Sequence, residues 1–159
     1  IQDIKRVNMA FRRHKDLKKW TEGFNTGESS SPLFKTDFHT FYYSFLVGVS
    51  LNDMADEEDL KNTTDLSKDF TEIFKSSKYQ MISILISVYL EEQGYELNDT
   101  ETVKKMIGAL IDVDSMTLSS QGFKRINQYA YRGFEKIYSD NKYAVNPAET
   151  ISRILELIN

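Results

Sequence analysis

FHTFYYSFLVGVSL, residues 38–51, decides how this chain is to be read. Phe38, Phe41, Tyr42, Tyr43 and Phe45 crowd into it. A half-buried strand alternates apolar and polar side chains, and here Phe41, Tyr42 and Tyr43 are consecutive, so the alternation fails. On a helix, Phe38, Phe41, Tyr42, Phe45 and Val49 make one wide apolar stripe, with Tyr43 and Val47 partly off it. Thr36 or Asp37 suits the start of that helix and Gly48 its end. The stripe is what a core helix needs, so the stretch reads as scaffold. A bulky side chain outside the stripe would form a surface patch, which makes Tyr43 its one candidate contact residue.

Upstream lies the basic part of the chain. Residues 5–19 hold seven Lys/Arg and one acid, Asp16. Ile4, Val7 and Phe11 are spaced for one helical face that His14 extends. Lys5, Arg12, Lys15 and Lys19 occupy another arc, with Arg6 and Arg13 beside it. The spacing predicts an amphipathic basic helix over about 3–20, its exit anchored by Trp20 and Phe24, and then a turn-rich linker at 23–32 (GFNTGESSSP).

Downstream, residues 52–69 hold seven acids against Lys61 and Lys68. Residues 50–65 read as an acidic loop with a short helical turn, followed by a helix carrying Leu66, Phe70, Ile73 and Phe74 that Thr64 or Asp65 caps. Residues 79–90 are apolar nearly all round and predict a buried central helix, ended by Gly94. Thr100 caps the next helix, with Val103, Met106, Ile107, Leu110 and Ile111. Ser119 or Ser120 opens another, with Phe123, Ile126, Ala130, Phe134 and Ile137. Asn146-Pro147-Ala148-Glu149 combines a capping asparagine, proline at the first helical position and glutamate two residues later. Ile151, Ile154, Leu155 and Ile158 supply that last helix's stripe. The expected fold is all-α: one domain over 1–159, of six or seven helices in an orthogonal or bundle-like arrangement, with its helical core at 36–158.

Composition limits the function. The chain has 159 residues, 40% apolar and 28% charged, enough for one domain with a real core. It contains no cysteine, which removes disulfides, thiolate nucleophiles and cysteine-ligated metals. No signal pattern opens it, and the apolar run at 81–90 is far shorter than the roughly 20 residues a bilayer needs. A cytoplasmic protein without membrane contact is expected.

Chemical motifs are absent. His14 and His39 are the only histidines, and neither stands by a serine elbow or in a His-Glu-x-x-His motif. No glycine-rich phosphate loop exists. Asp112-Val113-Asp114-Ser115 opens like a calcium loop, but the sixth position is not glycine and the twelfth is Phe123, so it reads as one helix handing over to the next. Asp16-Leu17-Lys18 and Asp59-Leu60-Lys61 have the residue order of a nuclease triplet and lie where helix or loop is expected. No catalytic residue, metal or cofactor is expected. An enzyme, for example a nuclease, would need carboxylates that cluster only in the fold, with Asp112, Asp114, Glu91 and Glu92 the first to inspect.

The basic segment is the strongest functional signal. Lys5, Arg6, Arg12, Arg13, Lys15, Lys18 and Lys19 could meet an acidic protein surface or a nucleic-acid backbone. They could also pair with the acidic 52–69 segment, in the same chain or a neighbouring copy, or form a solvated face. The net charge of −4 opposes nonspecific DNA affinity. Phe41, Ser44 and Gly48, preceded by Phe34, make a Phe-x-x-small-x-x-x-Gly pattern. It resembles small accessory proteins of bacterial DNA-phosphorothioation (Dnd) islands over about twenty residues. Where that pattern has an acid just upstream of the aromatic, this chain has His39, with Asp37 two residues earlier. The resemblance carries over no catalytic residue. It implies an accessory subunit of a larger prokaryotic assembly, in genome defence or DNA processing.

Overall fold

The computed structural model describes residues 9–25, 32–96, 98–140 and 146–159. These residues are mostly helical, as expected, but they also form two small antiparallel two-stranded sheets, so the fold is not strictly all-α. The chain gathers into two units. The first takes the described part of Ile1–Phe11 with Ser67–Ile126, and the second takes Arg12–Leu66 with Asn127–Asn159.

Residues 3–8 of the predicted basic helix lie outside the described residues, and where the chain passes into the second unit a strand, β1 (Phe11–His14), stands in place of helix. Tertiary partners replace the helical hydrogen bonds here and override the periodic signal. The Arg12 N–H donates to Asn127 Oδ1 at 2.9 Å, and the Lys15 N–H to the Asn62 carbonyl at 3.3 Å. β1 pairs with β2 (Thr63–Ser67), which stands where a helix through Leu66 and Phe70 was expected. The anticipated helical turn in the acidic loop is a 3-10 turn, Asp59–Asn62. After β1, a turn leads into α1 (Leu17–Glu22), which buries Leu17, Trp20 and Thr21. Trp20 meets Phe24 edge to face at 4.9 Å, the anchoring expected of that pair.

FHTFYYSFLVGVSL is helical, within α2 (Asp37–Ser50). Phe38, Phe41 and Phe45 are buried as expected. The buried face also takes in Ser44, Val47 and Gly48, while Val49 is only half-buried. The cause is a close approach to the long helix α5 (Ser120–Asp140). A Cβ on Gly48 would fall 2.0 Å from the Tyr129 carbonyl oxygen, and one on Gly133 would fall 1.7 Å from that of Ser44. Gly48 is therefore a packing residue, and the helix runs past it to Ser50. The Thr21 and Thr40 hydroxyls join α1 to α2 at 2.6 Å. The final helix, α6 (Pro147–Ile158), packs on α2. Asn146 caps it as predicted, its Oδ1 accepting from the N–H groups of Ala148 and Glu149 at 3.0 and 3.2 Å. Its buried residues are Thr150 and Ile154, and Leu155 faces outward.

In the first unit, α3 (Lys78–Glu92) buries Met81, Ile82, Leu85, Tyr89 and Leu90. It is not buried all round, since Tyr79 is 62% exposed. Gly94 ends it in the left-handed region at φ 71°. The Tyr95 N–H bonds the Leu90 carbonyl and the Gly94 N–H that of Glu91, the pairing of a Schellman motif. α4 (Thr100–Leu110) is capped by Asp99 rather than Thr100, through the Thr102 N–H at 3.2 Å. The expected direct hand-over at 112–115 is instead a hairpin of β3 (Ile111–Asp112) and β4 (Thr117–Leu118), with Ile111 opposite Leu118. Ser119 opens α5, its hydroxyl oxygen accepting from the Gly122 N–H at 3.1 Å. Phe11 packs edge to face on Phe70 and Phe123, at 4.9 and 5.1 Å.

Gly108 sits exposed in the last turns of α4, with nothing within 4 Å of where a Cβ would stand. Gly108→Ala should therefore stabilise the protein by about 0.5–1 kcal/mol, through helix propensity alone. A urea melt checks this; a loss of stability would mean that the site is more crowded than described.

Candidate interaction face

The predicted site residues separate into two groups. Lys5 and Arg6 lie outside the described residues. Arg12 and Arg13 point into the fold. Arg12 donates from Nε to Thr63 Oγ1 at 2.8 Å, from Nη2 to the Thr63 carbonyl at 3.1 Å, and from Nη1 to Asp65. Arg13 pairs with Asp37 and donates from Nε to Thr64 Oγ1 at 3.2 Å. Part of the basic run thus pairs with the acidic segment of the same chain, one of the arrangements its charge pattern allows. Burial pushes the Asp37 carboxyl above the usual carboxylate range, although Arg13 pulls the other way.

Lys15, Lys18 and Lys19 are exposed. They stand on α1 and the turn before it, and Lys18 lies 4.0 Å from Glu22. The opposite side of α1 is fixed by Leu17, Trp20 and Thr21, so Lys18 and Lys19 stand on a supported element, with Lys15 exposed in the turn that leads into it. Tyr43 is half-buried; its ring packs on Phe34 at 5.4 Å and near Tyr42 at 6.0 Å. Burial raises its phenol above the ordinary value. It is part of the aromatic packing more than an exposed contact.

Both histidines support helix starts. His14 is 8% exposed, and its ring lies 4.7 Å from Tyr131 and 5.0 Å from Phe134. Its Nδ1 accepts from the Asp16 N–H at 3.1 Å, which places the neutral ring's proton on Nε2. Burial holds its pKa below the ordinary 6.5; Asp16 and Glu135 oppose this and Lys15 adds to it. His39 Nδ1 accepts from the Thr36 N–H at 3.2 Å, capping α2, and burial with Lys35 lowers its pKa too.

A feature that sequence reasoning missed centres on Arg132 of α5. Its guanidinium lies 2.8 Å from Glu135, 3.0 Å from Asp59 and 3.8 Å from Asp53. It borders an open depression of about 480 Å³ lined by Leu51, Asp53, Glu135, Lys136 and Ser139. The i,i+3 spacing of Arg132 and Glu135 was a readable hint; the pairing with Asp53 and Asp59 was not, because it depends on the fold. Asp53 and Asp59 thus tie the acidic loop to α5 through one guanidinium, which Glu135 of the same helix also holds.

Of the four carboxylates first in line for an enzyme, Glu92 and Asp112 have other partners. Glu92 pairs with Arg125 at 2.6 Å, and Arg125 lies over the Tyr89 ring. Asp112 Oδ1 accepts from the N–H groups of Asp114 and Ser115 in the hairpin turn, and the Ser115 hydroxyl first, then these backbone bonds, lower its pKa. Glu91 and Asp114 are exposed. Among the described residues, no three of His, Asp and Glu are grouped to hold a metal ion, and no helix is long and apolar enough to cross a membrane. Compared with known proteins, the chain matches no family model, no curated protein and no solved structure at a significant level.

Proposed function

We propose that this chain is a non-enzymatic accessory subunit that docks on an acidic surface of a partner protein through Lys15, Lys18 and Lys19. The observation that carries the reading is the support behind these lysines: two exposed cations on α1 and one in the turn before it, with the reverse side of α1 held by Leu17, Trp20 and Thr21. A supported face loses less conformational freedom on binding. Lysine ammonium groups act as point charges that steer association, without the bidentate geometry of arginine. Lys5 and Arg6 extend the same basic run in sequence. A cysteine-free composition suits a reducing cytoplasm. The setting in prokaryotic genome defence or DNA processing rests on the Phe34, Phe41, Ser44 and Gly48 resemblance.

The triple charge reversal K15E/K18E/K19E tests this role. The three side chains are exposed, so the fold should survive, as circular dichroism would report. A partner captured by the wild-type chain at low salt should be lost from the variant; an unchanged partner set would sink the proposal. Binding of a DNA or RNA duplex at low salt, steeply weakened by added salt and abolished by the same reversal, would transfer the face to nucleic acid.

A further inference from the structure

α1 is short, and at its start the Asp16 side chain makes no capping hydrogen bond. So short a helix depends on tertiary packing. Its turn is instead held by the bond from the Asp16 N–H to His14 Nδ1, with His14 packed on Tyr131 and Phe134 of α5. Trp20, on the buried side of α1, packs on the same Phe134 ring at 5.9 Å. One aromatic ring thus receives both the latch and the helix that it positions.

We propose that His14 is an acid-operated latch: its protonation removes the acceptor for the Asp16 N–H and loosens α1, with its lysine face, from α5. This rests on the docking role of that face, although its test needs no partner. The protonated Nδ1 becomes a donor facing the Asp16 N–H, with the Asp16 carboxylate 3.7 Å away as its new acceptor, so the ring must turn from the amide toward that oxygen. The groups facing it are Lys15 and Asp16 from its own turn, and Tyr131 and Glu135 from α5. Asp16 and Glu135 favour the charged ring, as do the aromatic faces, while burial and Lys15 oppose it. The unfolded chain takes up its proton first, near 6.5. The stability contributed by docked His14 is therefore present above that pH and is lost as pH falls toward the lower folded value.

The chain's single tryptophan is Trp20, 4% exposed, so its emission reports the docking of α1 directly. On titration from about pH 7.5 to 5, the emission should shift to the red with a midpoint below 6.5 while helical circular dichroism is retained. His14→Asn keeps an oxygen acceptor near the Nδ1 position and cannot titrate, so its emission should stay flat. His39 titrates in both proteins and cancels in the comparison. Glu135→Gln removes a charge that favours the imidazolium and should move the midpoint to lower pH. An invariant emission, the same transition in His14→Asn, or a shift coincident with loss of helix overturns the latch. Should His14→Asn fail to fold, an unmoved midpoint in Glu135→Gln does the same. An intact lysine-dependent partner without an acid transition ends the latch alone; the reverse result ends the docking role alone.

Discussion

Gly133→Ala should destabilise the protein by about 3 kcal/mol, the upper part of the range for overpacking a well-filled contact. The added methyl would stand 1.7 Å from the Ser44 carbonyl oxygen, half the distance of an ordinary contact. The obstacle is backbone on a neighbouring helix, so no side-chain rotation relieves it, and α2 and α5 must separate. Gly48→Ala meets the Tyr129 carbonyl oxygen at 2.0 Å and should cost a similar amount. The two sites share one interface, so the double variant should cost less than the sum of the singles. Urea denaturation of the three variants checks this. A loss below about 1 kcal/mol for Gly133→Ala would mean that the helices lie further apart than described.

Arg12→Ala should cost about 1.5–3 kcal/mol, the range for hydrogen bonds to a charged group. The Arg12 side chain is 15% exposed and bonds both Thr63 Oγ1 and the Thr63 carbonyl, and its removal leaves these β2 acceptors without their donor. Its ion pair with Asp65 contributes far less, because the Asp65 side chain is 84% exposed and solvent screens it. Asp65→Ala should therefore be much milder than Arg12→Ala. Equal losses in thermal melts would show that the ion pair, and not the Thr63 bonds, holds β1 to β2. A charge reversal at Arg12 or Arg13 would perturb the fold itself, which is why the docking test is confined to the three lysines.

These results mark where sequence reasoning reached and where it stopped. The α2 helix was legible because Phe38, Phe41 and Phe45 recur at helical spacing, and α6 because Asn146 and Pro147 form a self-contained start signal. Gly94 was legible as a stop, since the left-handed turn it makes is a local property. Gly48 was misread as a stop because its role lies in Tyr129, far along the chain. β1 was hidden for a related reason: FRRH has no strand alternation, and its backbone is met by Asn127 and by β2 rather than by near neighbours. The candidate face was legible as charge. The division of that charge between half-buried, paired arginines and exposed lysines depended on Thr63, Asp65 and Asp37, which composition does not place.

The second unit is assembled from chain segments on either side of Ser67–Ile126. The Asn127 acceptor for Arg12 lies 115 residues further on. At ordinary translation speeds that interval lasts on the order of ten seconds. Arg12 therefore leaves the ribosome long before its partner exists, as does the Ser44–Gly48 surface that Gly133 must meet. The first unit is mostly the continuous stretch Ser67–Ile126, although Phe11 must likewise wait for Phe123. The lysine face should become a properly supported surface only after α5 has been made, so a chain truncated before α5 should not present it.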